Sequence, residues 1–379
     1  MISIADKKDC CGCSACAQRC PRHCITMRED EEGFLYPAVD ASVCINCGLC
    51  ERVCPCLHQG KTIKPLAIET AVNPDISVRK KSSSGGIFSL LAEQVLSKGG
   101  VVFGAKFNEK WEVEHGFSDS LDGLTAFRGS KYVQSSIGDS YRKAEDFLKE
   151  GREVLFSGTP CQITGLRLFL QKDYKSLLTV AIACHSTPSP LVWRPYLEGM
   201  KFKDISGINF RDKRFGWEKY GLRIVYDNGR EYFQRYDRDP YMQLFLHGLT
   251  ARPSCFSCPA KKDWYGVDLI IGDCWGVSQI LPGFPNDHKG TSFVISMTER
   301  GIHTYNTLGI KGQNLSLEQV VSHNGGLTNR SVMPIERSAF WDAFQKIENK
   351  QKVILHFARP YLPGFKNKLI RYFKHLQNK

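Results

Sequence analysis

Two runs of cysteine near the amino terminus have residue types and spacing suited to redox chemistry. Each run reads Cys-x2-Cys-x2-Cys-x3-Cys-Pro, once over residues 10–21 and again over residues 44–55. Thiolates are soft ligands that favour iron–sulfur clusters, zinc and copper. The short spacings bring three thiolates of one tight loop to a common point, as a compact metal–sulfur cluster requires. The eight residues are Cys10, Cys13, Cys16, Cys20, Cys44, Cys47, Cys50 and Cys54.

The repeated pattern is typical of bacterial two-cluster ferredoxins, in which the fourth cysteine of each run ligates the other cluster. Such an exchange makes the two runs pack as one unit. Residues 1–56 are therefore predicted to form an α+β ferredoxin-like module with two 4Fe-4S clusters. The predicted ligand sets are Cys10, Cys13, Cys16 and Cys54 for the first cluster, and Cys44, Cys47, Cys50 and Cys20 for the second.

A zinc module and a disulfide framework are the alternatives for this unit. Zinc sites usually use two separated pairs of ligands, so the third closely spaced cysteine of each run argues against zinc. Disulfides form mainly in secreted proteins, and the opening MISIADKKDC lacks the apolar stretch of a secretory signal. The sequence also has no apolar run long enough to predict a membrane span. We expect a cytoplasmic protein whose 16 cysteines serve metal or redox chemistry.

Length and charge set broad limits on the remainder. A chain of 379 residues that is 42% hydrophobic can build two or three domains with a sizeable core. The formal net charge of +12 suits nucleic acid, an anionic membrane or an acidic redox partner. No aromatic and basic recognition motif accompanies that charge. No nucleic-acid partner is therefore expected, and a zinc-bearing nucleic-acid-binding protein is kept as an alternative.

A small-residue loop stands before the first long helix. Residues 57–81 are predicted to be a linker, which leads through Ser82-Ser83-Ser84-Gly85-Gly86 into a helix predicted at residues 87–98. Small residues at a helix N-terminus allow a phosphate to approach the free N–H groups there. A serine in this place can instead act only as an N-cap. Both interpretations remain open from the residues alone.

A strand–helix–strand unit follows. Apolar strands are predicted at residues 153–157 and 177–183, with a helix at residues 163–170 between them. Such a unit makes its strands parallel and places both following loops at one sheet edge. Cys161 and Cys184 follow the two strands, at the carboxyl ends where open α/β sheets bind ligands. Two ordinary buried cysteines are the alternative.

A further pair of cysteines, Cys255-x2-Cys258, needs two more ligands to hold a cluster or zinc. The other cysteines outside the N-terminal module are Cys161, Cys184 and Cys274. One more metal site is therefore predicted from Cys161, Cys184, Cys255 and Cys258, with Cys274 as a substitute or bystander. Spacing does not decide between a third 4Fe-4S cluster and zinc at this site.

Several segments occur in a fixed order: SSSGGIF, KYVQS, LFSGTPCQI, CH, NFRDK-x2-GW, C-x2-C and IIGDCWG. Together they resemble the coenzyme F420 hydrogenase/dehydrogenase beta-subunit family over about residues 1–300, most of all its bacterial, polysaccharide-biosynthesis-type branch. The resemblance implies an iron–sulfur flavoprotein with FAD and a third 4Fe-4S cluster. It also implies that residues 82–330 form an α/β mixed-sheet flavin-binding domain. A bulky apolar residue stands in the family where Cys274 stands here, and no F420 pocket is identified.

The same resemblance implies an electron path. The N-terminal clusters exchange electrons with ferredoxin or another redox protein, a third cluster relays them to FAD, and the flavin reduces a small-molecule or glycan-precursor substrate. A subunit that only transfers electrons is the alternative. His185 is the candidate general acid, unless it is merely structural. The predicted FAD-binding residues are Ser83, Ser84, Gly85, Gly86, Lys131, Tyr132, Gln134, Ser157 and Thr159.

Other positions have weaker assignments. Arg211 and Lys213 are predicted either to bind an anionic substrate or to face water, and Asp273 to be structural or to contact the flavin. Residues 331–379 are predicted to form a basic helical tail, since residues 351–379 contain seven Lys or Arg and no acid. Its apolar stripe favours docking on the protein's own core, with peripheral membrane contact as the alternative. The stripe comprises Phe365, Leu369, Tyr372, Phe373 and Leu376. No role is assigned to Cys11, Cys24 or Cys56.

Overall fold

The computed structural model describes residues 1–58, 63–200 and 204–364. Within these ranges an N-terminal module packs against a larger α/β domain. No helix among them is both long enough and apolar enough to cross a membrane.

The module is a short hairpin with two short helices. Strands β1 (Ile25–Glu29) and β2 (Leu35–Val39) pair antiparallel, and helices α1 (Ala15–Arg19) and α2 (Leu49–Arg52) lie within the two cysteine runs. Both helices begin at a residue in the left-handed region, Ser14 with φ 61° and Gly48 with φ 72°, which hold equivalent positions in the two runs. The sequence repeat is therefore also a structural repeat, as predicted for a two-cluster module.

A seven-stranded mixed sheet forms the centre of the larger domain, in the order β3-β12-β11-β7-β6-β4-β5. Its central pairs β4–β6, β6–β7 and β7–β11 are parallel, and the outer pairs are antiparallel. The predicted α/β mixed sheet is thus confirmed. The strands are β3 (Ala67–Ala71), β4 (Val101–Phe107), β5 (Val113–Ser118), β6 (Val154–Gly158), β7 (Leu177–Ile182), β11 (Leu269–Asp273) and β12 (Ser292–Ser296).

Helices cover both faces of this sheet. Phe103 and Phe156 point to the face that carries α5 (Ser140–Lys149) and α6 (Pro160–Leu170). Their neighbours Val102 and Leu155 point to the opposite face, beside α4 (Ile87–Ser97) and α11 (Glu299–Asn306). This alternation is the period of two that a strand imposes on its side chains.

The predicted strand–helix–strand unit is present as β6-α6-β7, with its two strands adjacent and parallel. The helix begins three residues earlier than predicted, because Pro160 suits its first turn and Thr159 forms a capping box with Gln162.

Part of the predicted linker belongs to the sheet. Ala67–Ala71 is an edge strand paired antiparallel with β12, and α3 (Ile76–Lys81) follows it. The partner strand lies more than 200 residues away, so nothing in the local sequence indicated the pairing. The prolines and lysines around β3 resemble those of a linker because edge strands tolerate such residues.

A second antiparallel sheet, β8-β9-β10, lies beside the first. Its strands β9 and β10 form the hairpin predicted around Asp227-Asn228-Gly229. Helix α14 packs against α7 and α8, so the described part of the predicted tail belongs to the folded domain. The apolar stripe predicted for the tail lies outside the described residues. The elements are β8 (Ile205–Asp212), β9 (Gly221–Tyr226), β10 (Glu231–Arg235), α7 (Pro190–Gly199), α8 (Pro240–Leu246), α13 (Arg337–Lys346) and α14 (Lys350–Ala358).

Three short helices complete the domain: α9 (Ala260–Asp263), α10 (Val277–Ile280) and α12 (Leu317–His323).

The module docks closely on the larger domain. Helix α1 packs against α5 and α6, and a turn at Lys7–Asp9 packs against another at Pro253–Ser257. A Cβ built on Gly165 of α6 would stand 2.9 Å from the Cβ of Cys13 and 3.0 Å from its sulfur. No side chain fits between this helix and the first cysteine run.

Candidate metal centre and cofactor site

One apolar cavity in the module collects cysteines from both runs. Cys44, Cys47 and Cys50 of the second run line it together with Cys20 of the first. The structure therefore brings together the four residues predicted for the second cluster, including the exchanged one. Cys24 also lines this cavity, and its sulfur lies 3.4 Å from that of Cys20.

The loops of both runs curve around their sulfurs. Gly12 and Asn46, which hold equivalent positions in the two runs, have φ values of 70° and 52°. Backbone N–H groups donate to sulfur from Ile2 to Cys50 at 3.3 Å and from Asn46 to Cys44 at 3.5 Å. Left-handed residues of this kind form concave N–H surfaces that recur at phosphate and iron–sulfur sites. The donor set and the loop shape fit a 4Fe-4S cluster.

The first predicted ligand set is buried. Burial, followed by the Coulomb effect of the thiols of Cys13 and Cys10, raises the pKa of Cys16 above its usual value. Burial also raises the pKa of Cys10 to about 11, against the opposing effect of Arg252. The Cys54 thiol lies in the same group: a hydrogen bond with Cys56 and then burial raise its pKa, and the nearby Cys13 adds to the rise. Because metal ligands must be thiolates, a cluster bound here has to compensate the cost of ionising these cysteines.

The third predicted set is also assembled, at the carboxyl edge of the main sheet. Burial and the neighbouring Cys161 and Cys255 thiols raise the pKa of Cys258 to about 12. The pKa of Cys184 is raised by burial and, more weakly, by the other three thiols of the set. The backbone N–H of Thr187 donates to the Cys255 sulfur at 3.4 Å. Four cysteines from three separate segments therefore face one another, and they fit a thiolate-bound cluster.

Cys274 lies apart from this set in its packing. It is fully buried in the main core, and its N–H donates to the carbonyl of Thr291 at 2.8 Å. Burial, with a smaller effect of Asp273, raises the pKa of its thiol to about 12. These contacts describe a packed neutral thiol.

Across residues 1–58, 63–200 and 204–364, no group of three or more His, Cys, Asp or Glu side chains is arranged to hold a metal ion. A single zinc ion gathers its sulfur ligands about 2.3 Å from one point. A 4Fe-4S cube instead takes its four thiolates at separate corners, so this finding concerns single-ion sites.

Two thiols without a predicted role lie between the first and third sets. The Cys11 thiol contacts those of Cys13 and Cys161, and it also contacts Cys56. Cys56 in turn contacts Cys54, and hydrogen bonds from Cys11 and Cys54 lower its pKa. A continuous chain of sulfurs therefore joins the first set to the third. No sequence pattern indicates this chain of sulfurs, because Cys11 meets Cys161 only where the module packs against the larger domain.

Gln134, predicted for the flavin environment, instead lies where the module meets the larger domain. Its amide donates to the carbonyl of Cys11 at 3.2 Å, and its oxygen accepts from Arg252 at 3.0 Å. Its contacts are with the cysteine module.

The small-residue loop is tied to the sheet. Ser83 Oγ accepts from the N–H of Ser130 at 2.6 Å. Ser84 donates to the carbonyl of Thr291 at 2.9 Å, and the Gly85 N–H donates to Ser292 Oγ at 2.9 Å. These three predicted phosphate-binding groups are thus engaged within the protein.

The first turn of α4, which follows this loop, has no side-chain cap. Gly86, with φ 85°, is the N-cap of α4 and supplies no side-chain cap to its first turn. The serine N-cap, which is the alternative interpretation of this loop, is therefore not formed. A Cβ on Gly85 would stand 2.5 Å from the carbonyl oxygen of Ala71, so close packing on the sheet requires a glycine there.

A polar cavity of about 270 Å³ opens beside this loop. Lys131, one of the predicted flavin residues, lines it, and its ammonium donates to the carbonyls of Ala126 and Arg128 at 2.7 and 3.1 Å. Burial lowers the pKa of Lys131 to about 7. The lining is basic and fits a phosphate-bearing part of a dinucleotide. It comprises Lys81, Phe107, Thr125, Arg128, Gly129, Ser130, Lys131, Ile208 and Asn209.

The other predicted flavin residues have partners within the protein. The Tyr132 ring stacks on Phe245 with centroids 4.7 Å apart. Ser157 donates to the Phe103 carbonyl at 2.9 Å, and Thr159 caps α6. Ser157 and Thr159 are thus held at the carboxyl end of strand β6.

The prediction that Arg211 and Lys213 bind an anionic substrate or face water is corrected by the structure. Both side chains are instead engaged with groups of the protein itself. Arg211 is buried and donates to both carboxylate oxygens of Asp273. Lys213 donates to the carbonyls of Ser84 and Lys289 at 2.7 and 2.8 Å, and burial lowers its pKa to about 7. Both cations brace the small-residue loop. Asp273 has the structural role that was one of its two predicted interpretations.

His185 lies at the surface beside the third set. Its ring meets Phe245 edge to face, with centroids 5.9 Å apart. Partial burial, followed by the positive charge of Lys261, lowers the pKa of His185. Lys261 itself donates to the carbonyl of Cys184. The role of His185 as a proton donor stays a prediction.

Two regions of the chain match known families. Residues 151–322 match the family described as the C terminus of the coenzyme F420 hydrogenase/dehydrogenase beta subunit. Residues 9–57 match a 4Fe-4S dicluster domain. The chain is thus similar to both families over these residues, in agreement with the family resemblance of its motifs.

Individual proteins are also similar in sequence to large parts of the chain. The chain is 25% identical over 336 residues to the coenzyme F420-dependent sulfite reductase of Methanocaldococcus jannaschii, covering 84% of this chain and 48% of that protein. It is 24% identical over 264 residues to an uncharacterized protein of the same organism, covering 60% of this chain and 71% of that one. The chain thus spans about half of the sulfite reductase.

A solved structure shares the fold. It comes from the F420-reducing [NiFe] hydrogenase complex of Methanosarcina barkeri, with a TM-score of 0.50 and 14% sequence identity. The likeness covers 76% of this chain and 95% of that chain. This likeness shows a shared fold. The two family matches and the sulfite reductase together relate the chain to iron–sulfur electron-transfer oxidoreductases.

Proposed function

Because the chain joins a 4Fe-4S dicluster domain to a domain of the F420 hydrogenase/dehydrogenase beta-subunit type, we propose that it is an iron–sulfur flavoprotein oxidoreductase. In this proposal the first and second cysteine sets hold two 4Fe-4S clusters. Cys161, Cys184, Cys255 and Cys258 hold a third, and FAD binds beside the small-residue loop. Bound clusters supply one-electron steps, and a bound flavin supplies the two-electron step that a substrate needs.

The observation that carries the proposal is the continuity of the first and third cysteine sets across the two domains. Cys11 and Cys56 lie between the first set and Cys161. A protein that only bound zinc for structural purposes has no need to connect two sets of thiols from one domain to the next. A path for single electrons does need such proximity.

The second and first cysteine sets differ in exposure, which gives the path a direction in space. Cys47 of the second set is exposed, and Ile45 beside it is 60% exposed. Cys10 and Cys16 of the first set are buried. The proposal therefore assigns contact with ferredoxin or another redox protein to the second set, and relay toward the third set to the first.

The proposed FAD site combines the small-residue loop with the basic cavity. Lys81 and Arg128 line the space that a pyrophosphate would occupy, and Lys131 adds a third cation below pH 7. The guanidinium of Arg128 is also paired with Glu93 at 3.1 Å. The uncapped first turn of α4 adds N–H donors. Ser83, Ser84 and Gly85 hold the loop in place through their internal hydrogen bonds.

The substrate belongs to the same proposal. A glycan precursor is suggested by the order of the sequence motifs, and His185 is the proposed proton donor to the reduced substrate. A second candidate function is that of an electron-transfer subunit without its own substrate. It is favoured by the solved chain of the same fold, whose structure is described as that of a hydrogenase complex.

The first experiment is the iron, acid-labile sulfide and flavin content of anaerobically purified protein. Three clusters and one flavin correspond to about twelve irons, matching sulfide and one FAD. About eight irons with FAD would remove the third cluster from the proposal. Zinc without flavin would overturn it and favour a structural metal protein.

Two matched variants locate the third cluster. We expect Cys255→Ser to lose about four of these irons and Cys274→Ser to lose none, because only Cys255 faces the other three thiols of the set. Equal losses from both variants would contradict the ligand set. Turnover of the purified chain with an artificial electron donor separates the enzyme from the subunit without a substrate.

A further inference from the structure

Arg252 crosses from the larger domain into the cysteine module. Its segment leads into Cys255 of the third set, yet its guanidinium lies among residues of the module. Nε donates to the carbonyl of Cys10 at 2.8 Å, and Nη2 donates to the carbonyl of Leu35 at 2.9 Å. Nη1 donates to the side-chain oxygen of Gln134 at 3.0 Å. Nη2 also points to the sulfur of Cys10, at 3.6 Å.

The surroundings of this guanidinium are shaped to fit it. The central carbon of the guanidinium, Cζ, lies 4.3 Å from the ring centre of Tyr36 and 5.2 Å from that of Phe34. The negative faces of aromatic rings attract a cation. Gly12 gives it room, because a Cβ there would stand 2.7 Å from Nη1. Arg252 is 1% exposed.

Arg252 differs from the other buried arginines in its counter-charge. Three other arginines in the described parts of the chain are also buried, and each pairs with a carboxylate. Within those same parts, Arg252 has no carboxylate within ion-pair distance. The three pairs are Arg79–Asp287, Arg211–Asp273 and Arg337–Glu32.

A buried cation without a counter-charge is strongly destabilising. The only side chain with a possible negative charge that accepts a hydrogen bond from Arg252 is Cys10, within the residues described. Burial of Cys10 raises its pKa, and the Arg252 charge opposes that rise. A thiolate at Cys10, and the net negative charge of a 4Fe-4S cube with four thiolates, would supply the missing counter-charge.

We propose that Arg252 is the electrostatic partner of the first cluster and raises its reduction potential above that of the second. The inference rests on the proposed function, since it requires the clusters. Hydrogen bonds to sulfur and nearby positive charge favour the reduced form of a cluster, which carries one more electron. The cluster gains that electron from a one-electron reductant, and Arg252 keeps its proton throughout.

Among the described residues, the cavity of the second set has no buried arginine in its walls. Arg22 and Arg52 lie beside it, but both are exposed, and Arg52 donates to the carbonyl of Cys47 at 3.5 Å. Water and salt screen exposed charges far more than buried ones. The asymmetry therefore favours transfer of an electron inward, from the surface set toward the third set.

The test is a potentiometric titration of the anaerobic protein with dithionite, followed by electron paramagnetic resonance. We expect Arg252→Met to lower the midpoint of the first cluster most and to leave that of the second unchanged, with full iron content. The midpoint of the third cluster should fall less, because the Arg252 charge also acts on Cys255 and Cys161. Arg252→Lys retains a charge but not the forked geometry, so its midpoint should fall between those of Met and wild type. The control is Arg194→Met. Arg194 links Glu29 of the module to Glu112 of the larger domain at the surface, and its loss should move no midpoint.

Three other results would count against the inference. Fully loaded Arg252→Met with every midpoint at the wild-type value would overturn it. So would an equal shift in Arg194→Met, which would indicate a general effect of docking. Loss of the first cluster from both Arg252 variants would assign this residue a structural role instead. Absence of clusters from the wild-type protein would defeat the proposed function itself, which the iron content detects separately.

Discussion

Arg211 and Asp273 form a doubly hydrogen-bonded ion pair, with Nη1–Oδ2 and Nη2–Oδ1 distances of 3.0 and 2.8 Å. The indole N–H of Trp217 donates to the same carboxylate at 2.7 Å. From the other side, Arg211 donates to the carbonyl of Ser83 at 3.1 Å. The small-residue loop is therefore held by a buried charge pair at the end of strand β11.

Asp273→Asn should strongly destabilise the fold, because it leaves the buried Arg211 without a counter-charge. We expect a loss of about 3 kcal/mol in the free energy of unfolding. Asp237→Asn is the control, since its carboxylate is 30% exposed and the side chain of its partner Arg235 is 35% exposed. Denaturant unfolding of both variants measures the difference. Equal losses would show that burial of the pair is not what matters.

Exchange of the fourth cysteine between the runs predicts which module thiol is needed for the second cluster. Cys20→Ser should lose about four irons, and Cys24→Ser should retain them. Both residues line the same cavity and their sulfurs are 3.4 Å apart, so Cys24 is a close control. Iron and sulfide analysis gives the answer. Loss from Cys24→Ser alone would reverse the assignment.

The affinity for FAD should fall as the pH rises through about 7. The pKa of Lys131 is lowered to about 7 by burial, so its ammonium is charged below this pH and neutral above it. An anionic pyrophosphate in the cavity favours the charged form. Lys131→Met should bind FAD more weakly and without this pH dependence, whereas Lys131→Arg should bind it at all pH values tested. Fluorescence titration of flavin-depleted protein measures each affinity. A wild-type pH profile in Lys131→Met would disprove the role.

His115 should make the fold sensitive to acid. Burial lowers its pKa to about 4, and its Nε2 and Nδ1 lie 3.0 Å from the Ser157 carbonyl and the Ser135 hydroxyl. Between pH 4 and the usual value of 6.5, the unfolded chain binds a proton at this residue and the folded chain does not. Stability therefore decreases as the pH falls through this window, by about 3 kcal/mol in all.

His115→Gln tests this directly. The variant should lose stability at neutral pH, but its thermal midpoint should change less than that of the wild type between pH 7 and 4. Comparison of the two proteins removes the contribution of acid-labile clusters, which both share. Parallel pH curves would exclude His115 as the cause.

The cysteine spacings predicted the most about this protein, because their geometry is local. The two runs fold as equivalent loops, with Gly12 and Asn46 in matching left-handed conformations. The unit β6-α6-β7 could also be predicted from the sequence, since its chirality and strand pairing follow from general rules. These rules place Cys161 and Cys184 at one sheet edge from the sequence alone.

Contacts between residues that are far apart in the sequence could not be predicted from spacing or local pattern. Arg252 and Cys10 are 242 positions apart, and Ser84 and Thr291 are 207 apart. The sequence around Lys213 suggests a cation at the surface. In the structure its ammonium donates hydrogen bonds to three backbone carbonyls of distant segments. Spacing cannot reveal a partner that only the docking of two units supplies.

The burial of the first cysteine set has a consequence for maturation. Cys10 and Cys13 are buried and lie against Arg252 and Gly165 of the larger domain, while Cys47 stays at the surface. In a chain loaded as proposed, the first cluster has to be inserted before docking is complete. The second can be delivered, or rebuilt after damage by oxygen, without unfolding. Biogenesis of the holoprotein is therefore ordered, and only its outer cluster is open to repair.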